Sequence, residues 1–417
     1  MLFALLRVLW VVLMVVAGPA MNPQSVLAKS DNDGFIYGRV VTDSGNEYTG
    51  FLRWGTEEAF WDDLFHTAKE DLPYMDAFHE SRRHKDDDDT EIQVFKWTFK
   101  IKDGHHSGDR LFIARFGDIA TIEPKGDDSA VLTMKSGEQY EVEGSSNDVG
   151  GKIHVKDQSL GEIDLRWDKI ESITFMPAPA GEDPGVWRLY GTVETDAGNF
   201  EGFIQWDKQE CLNTDLLDGE TDEGDVSIEM GRIRSIERLG KRRSMVELKD
   251  GRELRLSGTN DVNHENRGIM VEDARYGRVT VGWDSFDRLI FADAPHSGRG
   301  YNEYKGSGWL MGTVTHRNGE QLRGRIVIDL DEAEGWEILN GTLHDIDFDI
   351  PLYLVASLKP LRYDECLVTF VNGEEITLED GQDVTDSNAG ILVIADEDSD
   401  PVYIEWEDVE LIQFDRS

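Results

Sequence analysis

Residues 245–284 read MVELKDGRELRLSGTNDVNHENRGIMVEDARYGRVTVGWD. The first part alternates apolar and polar residues on both sides of Lys249-Asp250-Gly251. That is the pattern of two half-buried strands joined by a tight turn. The string has counterparts on both sides, VLTMKSGEQYEVEGSSNDVGGKIHVKDQSLGEIDLRWD at 131–168 and LVTFVNGEEITLEDGQDVTDSNAGILVIADEDSDPVYIEWED at 367–408. The last of these has its own turn at Val371-Asn372-Gly373. Each string closes on a short apolar strand, and the interval from Trp167 to Phe175 recurs from Trp283 to Phe291 and from Trp406 to Phe414.

A second recurring string lies upstream of each copy: FIYGRVVTDSGNEYTGFLRWG, RLYGTVETDAGNFEGFIQWD and WLMGTVTHRNGEQLRGRIVID. Gly38, Gly191 and Gly312 precede its first strand, Gly45, Gly198 and Gly319 form its turn, and Trp54, Trp206 or Ile328 closes it. The chain therefore reads as three copies of a two-part unit. The copies occupy 34–176, 186–293 and 308–417, separated by the connectors MPAPAGEDPG and ADAPHSGRGYNEYKGSG. Copy one carries an insertion of about residues 57–107, the one place where a helical reading beats a strand reading.

Strand signals dominate everywhere else, so the expected fold is all-β. Each half-unit is about four or five short strands, a pattern that resembles small SH3-like or Sm-like barrels. A unit of that size buries only about 60% of its unfolded surface. Two half-units packed on each other would share a core, which gives three tandem repeats of paired barrel-type half-units. The alternative is a six-bladed β-propeller with one half-unit per blade.

With 417 residues the chain has room for several cores. Residues 1–28 read as a signal peptide, with Arg7, an apolar run from Leu9 to Ala17, and small residues at Ala20 and Ala28. The run is too short to span a bilayer, so the protein is expected to be extracytoplasmic, periplasmic or secreted, and not membrane-embedded. Net charge is −42, with the acids spread along the chain. Such a surface repels nucleic acid and suits a saline medium, a cation, or a basic partner. Cys211 and Cys366 leave room for one disulfide but no disulfide framework.

Asp148, Asp261 and Asp383 share one position after the second strand of each second half-unit. An Asp there suits a turn that closes on its own backbone. It would also suit a hard cation, and Asn266 and Asn388, five residues further on, would add oxygen ligands of the kind Ca²⁺ takes. Copy one has Gly150 where that Asn would stand. Asp261, Asn266, Asp383 and Asn388 are thus the candidate metal ligands, with Ca²⁺ as the candidate ion and a plain turn as the competing reading.

Three further acidic or histidine-bearing stretches are weaker. Asp396, Asp398, Asp400 and Glu407 have EF-hand spacing, but Pro401 stands where that loop needs Gly. Asp218, Glu220, Asp222 and Asp225 lie on one acidic turn, and His66, His79, His84, His105 and His106 fall in the insertion near Asp86–Asp89. The tryptophans that recur, Trp54, Trp167, Trp206, Trp283 and Trp406, read as core anchors. Trp61, Trp97 and Trp336 do not recur and are read as candidates for a surface contact.

Catalytic signatures such as a Gly-x-Ser-x-Gly elbow or a phosphate-binding Gly loop are absent from the sequence. The expectation is a non-enzymatic binding or scaffolding module at the bacterial cell envelope. Two rivals are a calcium-stabilised adhesin-like or matrix protein and a hydrolase with its site at the insertion.

Overall fold

The computed structural model describes residues 32–69, 74, 110–144, 148–362, 364–396 and 400–415. The signal-peptide reading, most of the insertion, Trp97, Asp398 and the histidines at 79, 84, 105 and 106 lie outside these residues.

The described chain is built of antiparallel strands, and no described helix is long and apolar enough to cross a membrane. The first segment supplies β1 (Tyr37–Thr42), β2 (Glu47–Trp54), β3 (Leu64–Lys69), β4 (Arg110–Arg115), β5 (Ile119–Pro124), β6 (Ser129–Met134), β7 (Gln139–Glu143), β8 (Lys152–Asp157), β9 (Gly161–Arg166) and β10 (Ile170–Phe175). The second supplies β11 (Leu189–Thr195), β12 (Gly198–Gln205), β13 (Leu216–Thr221), β14 (Gly224–Glu229), β15 (Ile233–Arg238), β16 (Ser244–Leu248), β17 (Glu253–Leu256), β18 (Ile269–Asp273), β19 (Gly277–Val281) and β20 (Phe286–Phe291). The third supplies β21 (Met311–His316), β22 (Gln321–Ile328), β23 (Ile338–Leu343), β24 (Ile346–Pro351), β25 (Val355–Arg362), β26 (Glu365–Phe370), β27 (Glu375–Glu379), β28 (Ile391–Ile394), β29 (Val402–Ile404) and β30 (Val409–Phe414).

Strand pairing departs from separate half-units. In the first segment the sheet order is β4-β3-β7-β6-β5-β10-β1-β2-β8-β9. Strands β8 and β9, from the second half of the sequence unit, extend the sheet beyond β2 of the first half, while β3 and β4 extend it beyond β7. The closing strand β10 joins the halves through β1 and β5. Corresponding pairings occur as β11–β20, β15–β20 and β12–β18, and as β21–β30, β25–β30 and β22–β28. None of these sheets closes, and neither independent barrels nor six separate blades describe the pairing. Alternation marks a segment as a strand but does not say which strand it pairs with.

The second and third segments merge into one 18-stranded sheet through β19 and β24, where Arg278 lies opposite Asp349 and Val281 opposite Ile346. They share one apolar core, in which Phe200, Tyr276, Phe348 and Phe370 meet edge to face. The first segment keeps its own core and receives Cys211, Leu212, Tyr304 and Trp336 from the others.

The recurring tryptophans are buried, as is Ile328 in its corresponding place. Trp61 and Trp336 are also core residues, each 1% exposed, which overturns the surface reading for both. Trp336 fills a gap beside Phe112 and Tyr140 of the first segment, an inter-segment contact that has no reason to recur. The described part of the insertion, residues 57–69 and Tyr74, forms turns and β3 and no helix. Its apolar residues Phe60, Trp61, Leu64 and Phe65 pack into the cores instead of lining one helical face. Cys211 and Cys366 are both buried free thiols.

Candidate metal centres

In all three segments the chain leaves its second strand, makes a tight loop, and returns. Trp54, Trp206 and Ile328 each exchange backbone hydrogen bonds with Glu58, Glu210 and Glu332, respectively. An acid five residues further on fixes the loop. Asp63 accepts the N–H groups of Ala59 and Phe60, Asp215 those of Cys211 and Leu212, and Glu337 those of Ala333 and Glu334.

The residue after the closing Trp or Ile lies on left-handed backbone every time. In the first segment it is Gly55, with φ 56°, and in the others it is Asp207, with φ 51°, and Asp329, with φ 52°. Glycine takes that conformation freely, whereas a side chain there costs on the order of 1 kcal/mol.

From the other half of the unit comes a short 3-10 turn, Asn260–Val262 or Gln382–Val384, carrying Asp261 or Asp383. One oxygen of each aspartate accepts a backbone N–H from the paired half, Asp218 to Asp261 at 2.6 Å and Asn340 to Asp383 at 2.7 Å. His66 donates its backbone N–H to Asp148 at 2.6 Å in the same way.

These elements converge. Asp207, Glu210 and Asp261 each bring a carboxylate oxygen within 4.8 Å of the other two, and Asp329, Glu332 and Asp383 do the same. Two oxygens on one Ca²⁺, each at about 2.3–2.6 Å from the ion, are separated by at most about 5 Å. The Oε2 atoms of Glu210 and Glu332 are sealed from solvent and have no hydrogen-bond partner. In the first segment the corresponding residues are Gly55, Glu58 and Asp148, so one acid is missing.

The electrostatics follow from the crowding. Burial first, then the nearby Asp261 and Asp207, push the Glu210 carboxyl up to about 8. Burial raises Asp261 to about 6 even though the Asp218 N–H favours its anion. Glu332 is driven well above the usual carboxylate range by burial and by Asp383, Asp331 and Asp329. Three carboxylates so close cannot all ionise unaided; they share protons or a cation.

Local donors balance part of this charge. Arg267 gives its backbone N–H, Nε and Nη2 to Asp207. Asp329 accepts from Gln382 Nε2 at 2.6 Å and from the Ala389 N–H.

Of the residues singled out in sequence, Asp261 and Asp383 belong to the clusters. Asn266 and Asn388 are buried beside them, and each uses its Oδ1 to accept the N–H of the glycine two residues on, Gly268 or Gly390. Asn388 Nδ2 donates to the Asp383 carbonyl at 2.9 Å, the role that Trp206 Nε1 plays for the Asp261 carbonyl at 3.0 Å. Ile328 has no such donor, and Asn388 supplies it; in the second segment, where Trp206 already does, Asn266 Nδ2 has no partner.

Asp207, Glu210, Asp329 and Glu332 did not stand out in the sequence. Their signal is the shared spacing in Trp206-Asp-Lys-Gln-Glu210 and Ile328-Asp-Leu-Asp-Glu332, against Trp54-Gly-Thr-Glu-Glu58. Of the acidic string at 396–407, the described residues supply β29, which pairs with β28, and Asp218 to Asp225 lie on the β13–β14 hairpin. No protein-family model, curated protein or solved structure matches the chain.

Proposed function

We propose that this is an extracytoplasmic, non-enzymatic repeat protein that serves as a binding or scaffolding module at the bacterial cell envelope, with a Ca²⁺ ion in each of its second and third units. In this reading the three segments are copies of one unit, supported by their recurring pairings and loop-fixing acids. The observation that carries the calcium assignment is the pair of three-carboxylate clusters, each with a sealed, unpartnered glutamate oxygen.

The donor set selects the ion class. Each cluster offers oxygen and neither imidazole nor thiolate, which suits a hard cation. Each also joins the two halves of its unit, since Asp207 and Glu210 follow β12 while Asp261 follows β17. An ion there would tie the halves together and relieve the repulsion that keeps the glutamates protonated. The acidic surface and the signal-type N-terminus fit a medium where calcium is abundant.

Calorimetry and thermal unfolding in Ca²⁺, Mg²⁺ and Na⁺ at matched ionic strength test the reading. Two Ca²⁺ ions per chain are expected, each site adding about 2.7 kcal/mol at a hundredfold excess over Kd. Asp207→Asn with Asp329→Asn should abolish that gain. If all three cations raise the midpoint equally, general screening explains the effect and the assignment falls.

A further inference from the structure

Where the three segments meet they enclose an open cavity of about 720 Å³. Its wall includes β4 of the first segment, β18 and the loop after β12 of the second, and β23 and β24 of the third. The cation sites do not account for it.

The cavity is lined by both apolar and charged side chains. Leu111, with 56% of its surface exposed, and the half-buried Met270 both line it. An exposed leucine inside a concavity leaves apolar area for a ligand to cover. Glu57 from the first segment and Asp347, Asp349 and Asp380 from the third line it as well.

The lining cations are mostly committed elsewhere. Arg278 is held by Asp63, at 2.9 Å, and by Glu272, and Arg267 is held by Asp207. Among the described residues Lys208 is the lining Lys or Arg without an ion pair, and its charge acts on Asp347. Glu58, at the inner wall, is pushed up to about 10 by burial and then by Asp148, Asp63 and Glu57, so it is neutral. Burial and then Asp349 also raise Asp347, although Lys208 opposes the shift. Even so, Glu57, Asp347, Asp349 and Asp380 outnumber the one unpaired lining cation, Lys208, and the cavity is net negative.

That charge is spread out. Among the described residues, groups of three acids close enough for one ion occur only at the two clusters already described, and these lining carboxylates belong to neither. A point cation cannot satisfy them together. A chain that alternates positive centres with methylenes matches both the separated acids and the apolar lining. We infer that this cavity binds a linear aliphatic polyamine, its ammonium groups on Asp347, Asp380 and Glu57 and its methylenes over Leu111 and Met270.

Spermidine titrated calorimetrically into the calcium-saturated full chain, at fixed ionic strength, should bind one per chain. Asp347→Asn with Asp380→Asn should weaken it at least about tenfold, since charge-assisted hydrogen bonds to two ammonium groups are lost. Leu111→Gln should weaken it severalfold, and Lys208→Met should strengthen it. All three sets of changes fall on exposed or partly exposed side chains, and an unchanged melting midpoint shows that the fold is kept.

Octane-1,8-diol, a neutral chain of similar length, should not bind. Absence of spermidine binding, equal binding by the Asp347 and Asp380 variant, or displacement by Mg²⁺ at equal charge would each overturn the inference. The calcium sites are read separately through Asp207 and Asp329, so the two proposals fail independently.

Discussion

The first segment and the other two solve the same turn differently. At matching left-handed positions the first has Gly55 and the others have Asp207 and Asp329. The turn itself needs only a glycine, so the aspartates are there despite a backbone cost. Attachment differs as well. The second and third segments share a sheet and a core, whereas the first is attached by the apolar side chains its core receives and by buried charges: Arg188 on Asp62, Arg278 on Asp63, and Lys69 on Asp331 and Glu337. A shared sheet edge makes one folding body of two segments. Side-chain contacts without a shared sheet make the first a docked body, in which each buried ion needs its partner.

The loop-fixing acids give the sharpest way to break this arrangement. Asp63, Asp215 and Glu337 each meet a cation from another segment: Arg278, Arg53 and Lys69. Lys69 and Arg278 are buried with their partners, while Arg53 is 27% exposed. Removing one member of a buried pair leaves an unmatched charge and costs about 3–5 kcal/mol, whereas partly exposed pairs contribute about 1 kcal/mol or less. In urea unfolding Lys69→Met and Arg278→Met should lower stability by the larger amount and Arg53→Met by the smaller. Equal losses would show that the first segment is not held by its buried ions.

The sequence announced the strands, their turns and the aromatic anchors, because alternation and Asn-Gly or Asp-Gly turns are local properties. It did not announce that β8 and β9 cross to the first half of the sheet, since that depends on partners a hundred residues away. For the same reason Asp261 was visible but its neighbours Asp207 and Glu210 were not. They are separated from it by more than fifty positions, and Glu210 looks like one acid among 84 Asp and Glu residues. Trp336 carries no such mark, because a side chain that fills another segment's core has no counterpart in the other copies to reveal it.

The indole at the closing position offers a smaller test of the same comparison. Trp54 and Trp206 donate to the Asp148 and Asp261 carbonyls, and Ile328 leaves that task to Asn388. Trp206→Ile therefore has a replacement donor in Asn266 Nδ2, which is unpartnered in the native protein. The first segment has Gly150 in the corresponding loop. Both substitutions open a cavity, but Trp206→Ile should cost about 1 kcal/mol less than Trp54→Ile, the net worth of one recovered hydrogen bond. Adding Asn266→Ala should erase the difference.

Installing the missing acid reverses the opening comparison. A Cβ built on Gly55 meets no atom within 4 Å, so Gly55→Asp has room for its first atom. It would place a third carboxylate beside Glu58 and Asp148, as Asp207 stands beside Glu210 and Asp261. In chelator the variant should be less stable than the parent by about 1 kcal/mol, because aspartate is strained at positive φ and adds repulsion to Glu58. In calcium the deficit should shrink or change sign, and calorimetry should count three ions per chain instead of two. A deficit that calcium leaves untouched would mean that three carboxylates on this loop do not suffice to bind an ion, and the assignment of the second and third segments would lose its main support.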